Sequence, residues 1–339
     1  MAKMSNAMLT SGRINRRTVL GTAAGGLALA VTQGRYRRAL AQDKPTVAVG
    51  SKDFTEQEIL GQMLALLLED AGYGVDRKLQ LASTLIVHES LLSGDVGAYV
   101  EYTGTGLITI LGLELPAATP GAASPVADAA ASPAAGSSGL AGQDAVYDIV
   151  KAEYQSQFNV VWLDPLGFNN TYTLAVRPET AAELGLVTIS DLEAVAGDLT
   201  FGATQEFLTR PDGLPGLTAA YPLVFGDAVG MDEGLVYSAV DSEEVDVISA
   251  FATDGRIPAL GLVLLEDDLG FFPPYYAAPV VRQDVLDEDP AIADVLNKMA
   301  GMIDNATMAD LNFQVDDGGE EAEDVARTFL EGLGLIGQG

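Results

Sequence analysis

The chain has no cysteine in 339 residues, one histidine and one tryptophan. Without cysteine there can be no disulfide, no thiolate metal site, no cysteine nucleophile and no lipid-bearing cysteine. The lone His88 lies in TLIVHESLL beside Glu89, the position of a structural helix-face histidine. A hydrolytic triad would need it near a GxSxG elbow, and the sequence has none. HExxH is also missing, and GTGLIT lacks the GK[ST] ending of a phosphate loop. The acidic run VDDGGEEAED lacks EF-hand spacing. Neither an enzyme nor a cofactor or metal is therefore expected.

Positive charge is scarce as well, with 18 basic residues against 48 acidic, a formal net charge of −30. Such a surface repels nucleic acid and anionic lipid. Seven of the basic residues fall in residues 1–41, which hold no acidic residue. Arg13, Arg16 and Arg17 precede the small, apolar run VLGTAAGGLALAV, and Ala39-Leu40-Ala41 offers a cleavage site. The Arg16-Arg17 pair followed by TVL resembles a twin-arginine export signal. At 13 residues the run is short for a membrane span, which favours export to the periplasm or the outer face of the membrane. The basic cluster Arg35, Arg37, Arg38 keeps open the alternative of an uncleaved anchor.

No cluster of aromatic or long aliphatic side chains occurs in residues 116–142, PAATPGAASPVADAAASPAAGSSGLAG, which reads as a surface insertion with no core to bury. Elsewhere strands and helices alternate. TVAVG, a helix opened by a Thr55–Glu58 capping box and closed by Gly72, VDRKLQL, the helix TLIVHESLLSG and the strand VGAYVEY make a βαβαβ series, hence a parallel α/β unit. A second series runs through TYTLAV, a helix capped by Ser190, LTFGAT, helices at LTAAYPLVF and GLVYSAV, and the strand EVDVISAF. Helices at PAIADVLNKMAGMI and EEAEDVARTFLEGL follow. Two α/β units with crossing strands predict two lobes.

Five segments, in order and at consistent spacing, carry a resemblance: GSKDFTEQEILGQMLALLLEDAGY, SGDVGAYVEYTGTG, WLDPLGFNNTYTLAV, TRPDGLPGL and VISAFATDGRI. Together they are similar to the substrate-binding proteins of glycine betaine/carnitine/choline ABC transporters. The resemblance implies an α/β, two-lobed periplasmic-binding-protein-like fold of type II, with residues 44–167 and 277–339 as lobe 1 and 168–276 as lobe 2. It implies a quaternary ammonium ligand such as glycine betaine, carnitine, proline betaine or choline. Partners would be a membrane ABC permease and its cytoplasmic ATPase, with the chain itself a monomer. The same fold binding another small zwitterion, such as an amino acid, is the alternative.

A trimethylammonium head has no N–H and is held by aromatic faces. By the resemblance, Tyr102, Tyr172, Phe251 and Tyr275 form such a cage, with Asn170 as its polar member and Tyr276 as a rival for Tyr275. Phe251 stands where the family has tyrosine, keeping the face without the hydroxyl. Lys52, Thr105 and Arg210 would receive a ligand carboxylate.

Overall fold

The computed structural model describes residues 44–114 and 140–337. The export signal expected at residues 1–41, and residues 116–139 of the expected insertion, lie outside the described residues. Two five-stranded sheets form the framework, with strand orders β2-β1-β3-β10-β4 and β7-β6-β8-β5-β9. In the first, β1 (Thr46–Gly50) lies parallel between β2 (Gly74–Lys78) and β3 (Ala98–Tyr102). Its other two strands are β10 (Ala277–Arg282), antiparallel to β3, and β4 (Val160–Trp162). The second repeats the plan: β6 (Thr200–Thr204) lies parallel between β7 (Asp227–Met231) and β8 (Val247–Phe251). β5 (Tyr172–Val176) runs antiparallel between β8 and β9 (Val263–Leu265).

The chain crosses between sheets twice, from β4 to β5 and from β9 to β10. The two crossings hold each other: Asn170 N donates to Tyr275 O at 3.1 Å, and Tyr275 N donates to Asn169 Oδ1 at 2.6 Å. Every loop that leaves the C-terminal end of β1, β3, β6 or β8 therefore faces the seam beside these crossings. That seam is where parallel sheets bind ligands, because the strand-to-helix loops open there.

Helix α1 (Thr55–Asp70) is apolar on all sides from Ile59 to Leu68 and almost entirely buried, packed beneath the first sheet. Helices α8 (Asn305–Asp316) and α9 (Ala322–Gly332) cover it, so the C-terminal run completes the first lobe. Between them in the chain lie α2 (Thr84–Ser93), α3 (Leu140–Phe158), α4 (Pro178–Leu184), α5 (Leu214–Ala220), α6 (Glu233–Asp241) and α7 (Ala291–Leu296). The last three residues of the expected insertion, 140–142, are already helical in α3.

Several local expectations need correction. Phe54, not Thr55, is the N-cap of α1, and the Thr55 hydroxyl donates instead to Asp316 Oδ1 at 2.5 Å. The helix assigned to Ser190 is a 3-10 turn, Ile189–Ala194, whose capping box is built by Thr188 and Asp191. The segment PAIADVLNKMAGMI stops at α7 plus one 3-10 turn, and α8 was not anticipated. Strand β7 also went unread because DAVGM lies at an exposed edge and has no alternation of apolar side chains.

Candidate ligand cleft

The antiparallel register of β5 and β8 sets Tyr172 directly opposite Phe251. Their ring centroids are 4.9 Å apart, as cross-strand neighbours on one face must be. Tyr275, just before β10, meets Tyr172 edge to face at 5.4 Å and 90°. Tyr102 closes β3 on the opposite sheet and connects to this group through Phe54, which stacks on Phe251 at 6.0 Å and on Tyr102 at 6.4 Å. Tyr276 donates its backbone N–H to Thr103 Oγ1 and bridges Asn169, while it is Tyr275 whose ring packs on Tyr172.

YTGTG allows this packing. A side chain at Gly104 would place its Cβ 2.6 Å from Tyr275 Cε1, and one at Gly106 would lie 2.8 Å from Trp162 Cζ2. Both glycines sit in helical backbone, in the turn Thr103–Thr105 and the π-helix Gly106–Ile110. Close approach of rings requires them, rather than an unusual backbone angle.

Beneath the rings lies Glu56, in the first turn of α1 and 3% exposed. Its Oε1 accepts from Tyr102 OH at 2.7 Å and Asn170 Nδ2 at 2.9 Å. Its Oε2 accepts from Thr253 Oγ1 at 2.5 Å and Asn312 Nδ2 at 3.1 Å. The four donors come from the first sheet, the crossing, the end of β8 and α8, so one carboxylate ties both sheets together. Burial raises the Glu56 pKa, against the pull of these four hydrogen bonds.

The basic residues are arranged differently. Lys52 Nζ lies 2.6 Å from Glu101 Oε1 with both side chains buried, and 5.1 Å from the Tyr102 ring centroid. Its ammonium is thus committed to a carboxylate of the same sheet, not held free for a ligand. Arg210 Nη2 does reach Thr105 Oγ1, at 3.1 Å, which joins the two sheets. The same guanidinium forks onto Asp212, with Nε to Oδ1 at 2.8 Å and Nη2 to Oδ2 at 2.6 Å, and adds Glu206 at 3.0 Å. Asp212 Oδ2 also accepts from Tyr275 OH at 2.8 Å, and Arg210 Cζ stands 5.5 Å from the Tyr172 ring centroid.

All eight residues singled out in the sequence therefore lie around this seam, but their partners Phe54, Glu56, Glu101 and Asp212 were not foreseen. Glu56 and Phe54 both belong to GSKDFTEQ, whose local pattern predicts only a helix cap. His88, away from the seam, packs edge-on against Phe158 and Tyr154, and burial lowers its pKa.

A family model for the substrate binding domain of ABC-type glycine betaine transport systems matches residues 45–332. The chain belongs to this family. Among relatives, the glycine-betaine-binding protein of Pseudomonas aeruginosa is 35% identical over 317 residues, 90% of this chain and 93% of that protein. The carnitine transport binding protein of Listeria monocytogenes is 34% identical over 85% of this chain and 87% of its own length. An ergothioneine transport permease/ergothioneine binding protein of Helicobacter pylori is 35% identical over 87% of this chain, which spans only 48% of that longer protein. A crystal structure described as a glycine betaine/carnitine/choline ABC transporter superposes with a TM-score of 0.65 at 31% identity, covering 85% of this chain and 99% of the other. A lactococcal protein closed on glycine betaine shares the fold at 14% identity and a TM-score of 0.59. The chain thus has the two-lobed type II binding-protein fold, in a family of substrate-binding domains of ABC transport systems.

Proposed function

We propose that this substrate-binding domain holds a quaternary ammonium osmoprotectant between lobe 1 (44–167 and 277–339) and lobe 2 (168–276). The trimethylammonium head packs on Tyr102, Tyr172, Phe251 and Tyr275, with the Asn170 amide at its edge. The observation that carries this reading is the convergence of Tyr172, Phe251 and Tyr275, fixed by strand register and by the crossing hydrogen bonds. Each ring face is worth roughly 0.5–2 kcal/mol to a desolvated cation. Glycine betaine, carnitine and choline share this head, which favours them over an amino acid, whose ammonium needs hydrogen-bond acceptors instead.

Thr105 and Arg210 meet the tail of a betaine, and Lys52 joins them only by giving up Glu101. Because Arg210 is already forked onto Asp212, a ligand carboxylate must share or displace that partner, so the head dominates affinity. Closure of the lobes completes the cage and presents the loaded protein, a monomer, to the permease and its ATPase. Export proceeds through the twin-arginine signal.

Calorimetric titration with glycine betaine, carnitine, choline and proline betaine tests the reading. Saturable heat with at least one of them, and a rise in melting temperature with the same ligand, is expected. No heat and no shift with any of them at millimolar ligand would refute it.

A further inference from the structure

Beside the ring cluster the structure has a small pocket, which shares Phe251 and Asn170 with the proposed cage. Two of its lining residues each carry an acceptor without a partner. Asn170 and Asn312 are 6% and 4% exposed, and the side-chain oxygen of each is buried without a hydrogen bond. Turning the amides over offers no escape. Glu56 accepts from the Nδ2 of both, and Asn312 Nδ2 also donates to Thr253 O at 2.9 Å. An exchanged oxygen would face the carboxylate.

The pocket is also short of positive charge. Glu56, Glu233, Asp254 and Asp316 line it. Against them stands Arg256, which lies 2.5 Å from Asp254 and 3.7 Å from both Glu233 and Asp316. Burial, and then the neighbouring Asp254, push Glu233 up to about 8. Phe54 and Phe251 lie nearly parallel at 6.0 Å, too close for a ring to enter between them, so the group accommodated is small. Among the described residues no cluster of acidic or histidine side chains is arranged to hold a metal ion. A quaternary head cannot satisfy the two amide oxygens, since it has no N–H to give.

We infer that this pocket is a second subsite of the ligand cleft, and that it takes a primary ammonium or similar N–H-bearing cation carried by the ligand in addition to its quaternary head. The N–H groups donate to Asn170 Oδ1 and Asn312 Oδ1, and the arriving cation favours ionisation of Glu233 beside Asp316. This rests on the quaternary reading of the adjoining cage. It divides ligands by what lies beyond the trimethylammonium group: a plain betaine leaves the subsite unfilled, whereas a ligand with a second, donor-bearing cation fills both.

The test compares two near-isosteric probes on the full chain by calorimetry, (3-aminopropyl)trimethylammonium and butyltrimethylammonium, with glycine betaine alongside. The amine is expected to bind at least about tenfold tighter than the butyl compound, the effect of charge-assisted hydrogen bonds to buried acceptors. Glu233→Gln, which keeps shape and removes the ionisable group, should bring that ratio down several-fold while the affinity for the butyl compound stays near its original value. Equal affinity of the two probes, with glycine betaine still bound, overturns the subsite and leaves the cage intact. Failure of all three to bind overturns both.

Discussion

The two ends of the cleft are built on opposite plans. At the cation end, aromatic rings from both sheets meet, and one buried carboxylate below organises the polar groups around them. At the other end each basic side chain already has an acid of its own, Lys52 with Glu101 and Arg210 with Asp212 and Glu206. A residue type in a motif therefore means different things at the two ends. A tyrosine ring can attract a cation whether or not its hydroxyl is bonded, whereas an ammonium or guanidinium can meet a carboxylate only if its charge is not already met.

Breaking the cation end should have the largest effect. Glu56→Ala strands four donors from four segments, and a loss of about 3–5 kcal/mol in unfolding free energy is expected, read from denaturant titration. Glu56→Gln, which keeps an acceptor oxygen, should lose less. A loss below about 1 kcal/mol for the alanine variant would show that the carboxylate does not tie the sheets together.

Next in size, Tyr172→Ala removes the ring that touches Phe251, Tyr275 and Phe207. Glycine betaine and choline should both weaken by about 10–100-fold in calorimetry. Phe251→Tyr restores only a hydroxyl and should change either affinity by less than about threefold.

The anion end is sharpened by relieving it rather than by cutting it. Asp212→Asn removes the charge forked onto Arg210, so glycine betaine should gain several-fold relative to choline. An unchanged ratio would mean that Arg210 does not face the tail. The smallest effect is on pH dependence. The pKa of Glu233 is raised from 4.5 to about 8 by burial, so its contribution to stability is full below pH about 4.5 and is lost as pH rises through about 8. Glu233→Gln should flatten the fall of melting temperature across that window, by the equivalent of roughly 1–2 kcal/mol at its upper end, since the side chain is partly solvated.

This contrast also explains what the sequence made legible. The parallel units showed in TVAVG and AYVEY because alternation and caps are local, and Tyr102, Tyr172 and Phe251 stood out through the family resemblance of the motifs that hold them. The partners that set their chemistry are remote in the chain. Glu56 meets Asn312 at a separation of 256 residues, and Thr55 meets Asp316 at 261. Nothing in FTEQE distinguishes a first-turn glutamate that caps a helix from one that joins two sheets. Arg210 and Asp212 are two residues apart, yet TRPDG alone does not reveal that the aspartate takes the guanidinium and the Tyr275 hydroxyl together.

The central claim, that the head and not the tail anchors the ligand, is tested most directly by competition against bound glycine betaine with the two halves of that molecule supplied separately. Tetramethylammonium should displace it in a saturable manner, while acetate at the same concentration should not. Displacement by acetate with none by tetramethylammonium would contradict the account.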